Sequence, residues 1–243
     1  MNKKYLGLLT AAMLMTAPQL SWAEEQSSEF ELSANTAMIS DYTFRGISQS
    51  DENVAIQGGF DLGHESGLYT GVWASSVDFN DNSEATIEVD VYAGFAGEKN
   101  GVSYDVGAIY YAYPGADSSL DYDFWEAYGS LGYDFDVASA SVSFNYSPDY
   151  FGGSGDSLYS HFGLDVPLPK DFTLSGGIGH QSIDDNATFG TPDYTDWNIT
   201  LGYDWKDVNL FVSYIDTDLD EPNQCSDGCS ARVVVGVSAA FGI

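Results

Sequence analysis

Residues 87–95 read Ile87-Glu88-Val89-Asp90-Val91-Tyr92-Ala93-Gly94-Phe95. Ile87, Val89, Val91, Ala93 and Phe95 share one parity; Glu88, Asp90 and Tyr92 share the other. Successive side chains of a strand point to opposite faces, so this stretch is a ribbon with an apolar side and a charged side. A helix would scatter both sets around its circumference.

The same pattern recurs along the chain. In residues 30–45, Phe30, Leu32, Ala34, Thr36 and Met38 oppose Glu31, Ser33, Asn35, Asp41 and Arg45. Further runs lie at 54–62, 68–77, 102–110, 125–133, 138–146, 158–166, 172–181, 196–203, 208–214 and 232–243. Both faces of 68–77 are mixed, so its orientation stays open. That makes twelve strands, an even number, most near the ~9–11 residues with which a tilted strand crosses a bilayer. The connections alternate in length. Those at 63–67, 97–101, 134–136, 167–171 and 205–207 are short. Those at 46–53, 79–84, 114–121, 148–156, 183–193 and 217–230 are generally longer and acidic. Short turns on one side and long loops on the other predict a transmembrane antiparallel β-barrel over residues 24–243, with periplasmic turns and extracellular loops. A soluble sandwich with one wet face is the competing reading. The barrel is favoured by nearly uncharged apolar faces, by aromatic residues near strand ends, and by a last run that keeps its alternation through Phe241 and Ile243. Backbone polar groups in hydrocarbon must all be paired, which forces such a sheet to close.

Composition narrows the function. Asp and Glu number 37 against 7 Lys and Arg, a net charge of −30. Nucleic-acid binding, which needs a basic footprint, is excluded. The 17 Tyr, 14 Phe and 5 Trp supply more apolar surface than a disordered chain carries. Residues 1–23 have a secretory signal: Lys3 and Lys4, an apolar stretch to about Ala17, Pro18, and Ser21-Trp22-Ala23 with small residues where a signal peptidase reads. After it only Arg45, Lys99, Lys170, Lys206 and Arg232 are basic.

Two further stretches carry a resemblance. Ser40-Asp41-Tyr42-Thr43-Phe44-Arg45-Gly46-Ile47-Ser48-Gln49-Ser50 and Gly67-Leu68-Tyr69-Thr70-Gly71-Val72-Trp73-Ala74-Ser75-Ser76 resemble the first two signature blocks of the TorF porin family. Residues 88–94 and 110–115 are similar to later blocks, and the likeness is strongest over 33–115. The resemblance implies a proteobacterial (Gram-negative) outer-membrane porin, with no catalytic residues and no cofactor.

The candidate site is electrostatic. On this strand count Arg45 ends the first run and Arg232 begins the last, and closure makes the two runs neighbours. Both arginines have lumen parity, as do Glu88, Asp90 and Glu126 roughly across the barrel. Arginines facing carboxylates would set a transverse field at a constriction. The alternative is that these charges pair with lumen neighbours, Asp41 and Asp196 among them, and plug the barrel. Twelve strands lie between barrels filled by side chains and barrels with wide channels, so passive diffusion of small hydrophilic solutes through a narrow, weakly cation-preferring pore is expected. The acidic excess sets that preference.

Cys225 and Cys229 lie four apart in the longest loop and are expected to form a disulfide in an oxidising compartment. Asp216, Asp218, Asp220, Glu221 and Asp227 in that loop, and Asp184, Asp185 and Asp193 in another, suit loose Ca2+ or Mg2+ binding that bridges lipopolysaccharide phosphates; solvated surface is the simpler account. The 216–220 carboxylates lack the Gly and terminal Glu of an EF-hand. His64, His161 and His180 form no evident triad, so no enzyme is expected.

Overall fold

The computed structural model describes residues 29–81 and 83–243; the signal peptide read at 1–23 lies outside them. The strands are β1 (Phe30–Ile39), β2 (Thr43–Phe44), β3 (Ile47–Ser48), β4 (Ala55–His64), β5 (Leu68–Ser76), β6 (Ile87–Lys99), β7 (Val102–Ala112), β8 (Phe124–Asp134), β9 (Ser139–Ser147), β10 (Ser157–Leu168), β11 (Phe172–Ile183), β12 (Tyr194–Trp205), β13 (Val208–Thr217) and β14 (Arg232–Gly242). Twelve of them close a single antiparallel barrel in which β1 pairs with both β4 and β14. The other two, β2 and β3, form a small separate hairpin.

The parity read from the sequence is the parity of the wall. Val91, Val106, Ile178 and Ile199 are exposed on the outside, while Glu88, Asp90, Asp105 and Glu126 are buried inside. Strand β5 is now oriented: Leu68 and Val72 face out, and Trp73 and Ser75 face the lumen. Outward aromatics mark both rims. Tyr110, Tyr146 and Tyr214 stand at the outer rim and donate hydrogen bonds to Asp123, Asp156 and Asp216 at 3.1, 3.1 and 2.9 Å. Tyr133, Phe135 and Trp205 stand exposed at the periplasmic rim. An amphipathic ring with its polar edge in the headgroups and its body in hydrocarbon suits both positions.

The periplasmic turns are tight. Lys99 pairs with Val102 across Asn100-Gly101, both at positive φ (57° and 81°). This is the Asn-Gly geometry whose twist matches a hairpin. Inside, tyrosines lie flat over glycines of the neighbouring strand: Tyr92 over Gly71, Tyr69 over Gly94, Tyr128 over Gly107 and Tyr159 over Gly179. At Gly179 a Cβ would stand 2.0 Å from the Tyr159 hydroxyl, so only glycine lets that ring lie down.

The first run departs from expectation. The alternation predicts one strand to Arg45, but β1 ends at Ile39. Beyond it the chain turns into the barrel, and Arg45 sits in the β2–β3 turn rather than on the wall. Arg45 and Gly46 take φ of 50° and 84°, which no extended strand contains. Ile39 follows apolar Met38 directly and points inward, 9% exposed, so the alternation lapses where the wall ends.

Candidate functional site

The inward hairpin, residues 41–50, crosses the outer half of the lumen. Its base is tied down at Asp41, whose Oδ1 accepts from the Ser48 and Ser50 hydroxyls at 2.6 and 3.0 Å and whose Oδ2 accepts from Arg232 at 2.9 Å. Arg232 also lies 3.5 Å from Glu52 and donates to the Ser230 carbonyl at 3.0 Å. The Tyr42 hydroxyl donates to Glu88 on β6 at 2.7 Å, and its ring meets Trp73 edge-on. Phe44 packs edge-on against Tyr111 of β7.

At the tip, Arg45 reaches the opposite wall. One terminal nitrogen donates to both carboxylate oxygens of Glu126 at 2.7 Å, and the other donates to Gln181 Oε1 at 2.7 Å. The guanidinium lies 4.4 Å from the Tyr159 ring centre and 4.5 Å from that of Phe44, with Tyr150 at 5.7 Å. Both side chains of the Arg45–Glu126 pair are fully buried. Glu126 also accepts from Tyr111 and Asn145 at 3.2 and 3.1 Å. A buried ion pair persists only when such extra hydrogen bonds offset its desolvation.

Gly46 makes this seat possible. A Cβ there would stand 2.5 Å from Thr217 Cγ2 and 2.8 Å from Asp196 Cβ, so the tip fits flush against β12 and β13. Asp196 accepts from the Tyr159 hydroxyl at 3.0 Å, which fixes the ring beneath Arg45. From above, the Gly228 carbonyl of the last loop accepts the Ser48 N–H at 2.8 Å, and Ile47 packs against the buried cluster of Tyr194, Leu219 and the disulfide-bonded Cys225 and Cys229.

The structure thus brings Arg45 to Glu126 and Arg232 to Asp41, as contacting pairs rather than as rows facing across an open gap. Glu88 is taken by Tyr42. Asp90 is different: it is completely buried, between its cross-strand neighbours Trp73 and Tyr111, and neither carboxylate oxygen has a hydrogen-bond partner among the described residues. Gln181, Tyr159, Asn145 and Tyr42 complete the site and were not singled out from the sequence. Parity places Gln181, Tyr159 and Asn145 inside but gives Tyr42 the outward face, and only the inward fold of the hairpin brings all four around Arg45. Below the hairpin the lumen stays polar and acidic: Asp105 accepts from Tyr69 at 2.7 Å, and Asp61 accepts from Tyr92. Among the described residues no three His, Cys, Asp or Glu are grouped as metal ligands.

In the outer loops, Asp185 caps a short helical turn at Asn186–Phe189 by accepting from the Thr188 N–H and hydroxyl at 3.0 and 2.7 Å. These bonds hold its carboxyl below the usual carboxylate range. At Asp81, burial acts to raise the pKa, but hydrogen bonds from Ser83 and Tyr122 lower it overall.

A closed twelve-stranded barrel, apolar outside and polar within, defines a transmembrane β-barrel of the kind seen among outer-membrane channels. The chain belongs to the family described as "Bacterial protein of unknown function (Gcw_chp)", whose model matches residues 23–241. Among solved structures it is similar to "KdgM porin in complex with disordered oligogalacturonate", at 12% identity and a TM-score of 0.57, covering 87% of this chain and 99% of that one. It is also similar to the NanC porin, at 14% identity and a TM-score of 0.57, covering 86% and 98%. At these identities the likeness is one of fold. No curated protein sequence matches the chain.

Proposed function

We propose that the protein is a narrow outer-membrane channel for passive diffusion of small hydrophilic solutes, closed in this conformation by its own first outer loop and preferring cations. The observation that carries this reading is that a ten-residue hairpin folds into the outer lumen, packs there among wall side chains such as Trp73, Tyr111 and Phe124, and is held by polar contacts to Glu88, Glu126 and Gln181. A small element held by a few polar contacts is a device that can move. The porin fold of the similar structures and the TorF-like block at 40–50 support the same reading.

The cation preference follows from charge. Arg45 and Arg232, the only arginines of the chain, are each bonded to a carboxylate, and Glu88, Asp90, Asp61 and Asp105 add further acidity. Carboxylate-lined pores favour cations. A polyanion such as the oligogalacturonate named for one similar structure is a poor occupant of this lumen. The acidic outer loops are proposed to hold Ca2+ or Mg2+ loosely against lipopolysaccharide.

Planar-bilayer recording across a KCl gradient tests the proposal. Discrete steps with a cation-selective reversal potential are expected. The second reading is a plugged barrel with a structural or surface role, favoured by the complete burial of the Arg45–Glu126 pair. It predicts a silent bilayer even after the hairpin is released by mutation.

A further inference from the structure

We infer that the wall site holding the Arg45 guanidinium is itself a binding site for small organic cations, amines or guanidines, and that Arg45 is its tethered competitor. The inference deepens the channel reading by naming a solute class, and rests on it only for how the solute arrives.

Of the groups that hold the guanidinium, Phe44 alone belongs to the hairpin. Glu126 lies on β8, Tyr159 on β10, Gln181 on β11, and Tyr150 in the loop after β9. If the hairpin withdraws, the wall keeps a carboxylate, an amide oxygen and an aromatic face in the arrangement that a planar, delocalised cation requires. Withdrawal also leaves Glu126 without its counter-charge, a costly state that a proton or another cation relieves.

A second observation points the same way. Asp90 is fully buried and, among the described residues, neither of its oxygens nor the Asn145 amide oxygen beside Glu126 has a hydrogen-bond partner. Glu88, Asp90 and Glu126 therefore share one guanidinium among three carboxylates, and this layer offers more acceptors than Arg45 uses. Anions are excluded by that surplus. A metal ion would want carboxylates gathered on one point, and here they are spread between the rings of Trp73, Tyr111 and Tyr159. A cation with spread charge and an apolar body fits that spacing better. Among the described residues the Arg45 Nε has no partner, so the tether does not use every hydrogen bond that a guanidinium can make.

The test uses the full-length mature barrel in detergent, with methylguanidinium as the probe and methylurea as its neutral isostere. Arg45→Ala should lower the thermal unfolding temperature. Millimolar methylguanidinium should restore most of the loss, and methylurea should not. Arg45→Ala combined with Glu126→Gln should show no rescue. Equal rescue by both compounds, or none in a barrel that still shows heat-modifiable gel migration, overturns the inference; Arg45→Gln replaces Arg45→Ala if the latter does not fold. In liposomes of the wild type, agmatine uptake should saturate with concentration while erythritol uptake rises linearly. Linear uptake of both refutes the site and leaves the channel standing. If neither enters liposomes of wild type or of Arg45→Ala, the channel reading fails, and the methylguanidinium rescue alone decides the site.

Discussion

Arg45 and Glu126, 81 residues apart in the chain, meet at 2.7 Å inside the barrel with neither side chain exposed. The pair joins the tip of the inward hairpin to the wall opposite its root. Breaking it by removing one partner leaves a buried charge uncompensated, a change that in protein interiors costs about 3–5 kcal/mol. Arg45→Ala should therefore release the hairpin while the barrel, whose closure depends on backbone pairing, stays intact. Protease cleavage within residues 41–50 on intact vesicles, absent in wild type, is the expected readout.

Gly46→Ala should have a similar effect for a different reason. Alanine at φ 84° is disfavoured by about 1–2 kcal/mol, and its Cβ would collide with Thr217 and Asp196. The hairpin can relieve both only by backing away from β12 and β13. Increased accessibility of residues 41–50 with unchanged heat-modifiable migration is predicted, and a variant as protected as wild type would show that the flush fit is unimportant.

Gly179→Ala acts one layer lower. The Tyr159 hydroxyl occupies the space of the new Cβ, so the ring must tilt and give up its bond to Asp196 and its face beneath Arg45. The expected phenotype is partial release of the hairpin, smaller than that of Arg45→Ala. If Tyr159 serves only to fill space, Tyr159→Phe will match wild type; a role through Asp196 predicts that Tyr159→Phe resembles Gly179→Ala.

The outer loops should loosen in acid. Asp81 and Asp185 have carboxyls held below their ordinary range by hydrogen bonds to the charged form. A depressed folded pKa contributes order that is complete above the unfolded value, near 4, and is lost as pH falls through the folded pKa. Loop proteolysis should thus be flat from pH 8 to 5 and rise only below about pH 4. Asp185→Asn should flatten that rise in the segment at 184–193, because asparagine still caps the turn but does not titrate.

Reduction or Cys225→Ser with Cys229→Ser should leave the barrel folded, since the disulfide lies in a loop outside the sheet. It should increase cleavage within residues 217–230 and, through the Ser48–Gly228 bond, weaken the cover over the hairpin. Unchanged protection of residues 41–50 would show that this cover is dispensable.

The barrel was legible because a strand in a membrane must segregate its faces. Val89, Val91 and Ala93 against Glu88, Asp90 and Tyr92 already state which side meets lipid. The strand at 68–77 was ambiguous because Tyr69 and Trp73, apolar by composition, face the lumen, where they cover Gly94 and flank Asp90. The site was only half legible. Parity placed Arg45, Glu88, Asp90 and Glu126 inside, but parity carries no information about a chain that leaves the wall. Ser40-Asp41, Arg45-Gly46 and the break in alternation at Ile39 are the local signs that the strand ends there. The partnership of Arg45 with Gln181, 136 residues distant, is a product of closure and no local pattern announces it.

Single-channel recording of wild type beside Arg45→Ala tests the central claim most directly. If the hairpin is a movable closure on a cation-preferring pore, wild type should show small or infrequent cation-selective steps, and Arg45→Ala should show larger, longer ones of the same sign of selectivity. Bilayers silent for both proteins, each verified as inserted and folded, would contradict the account.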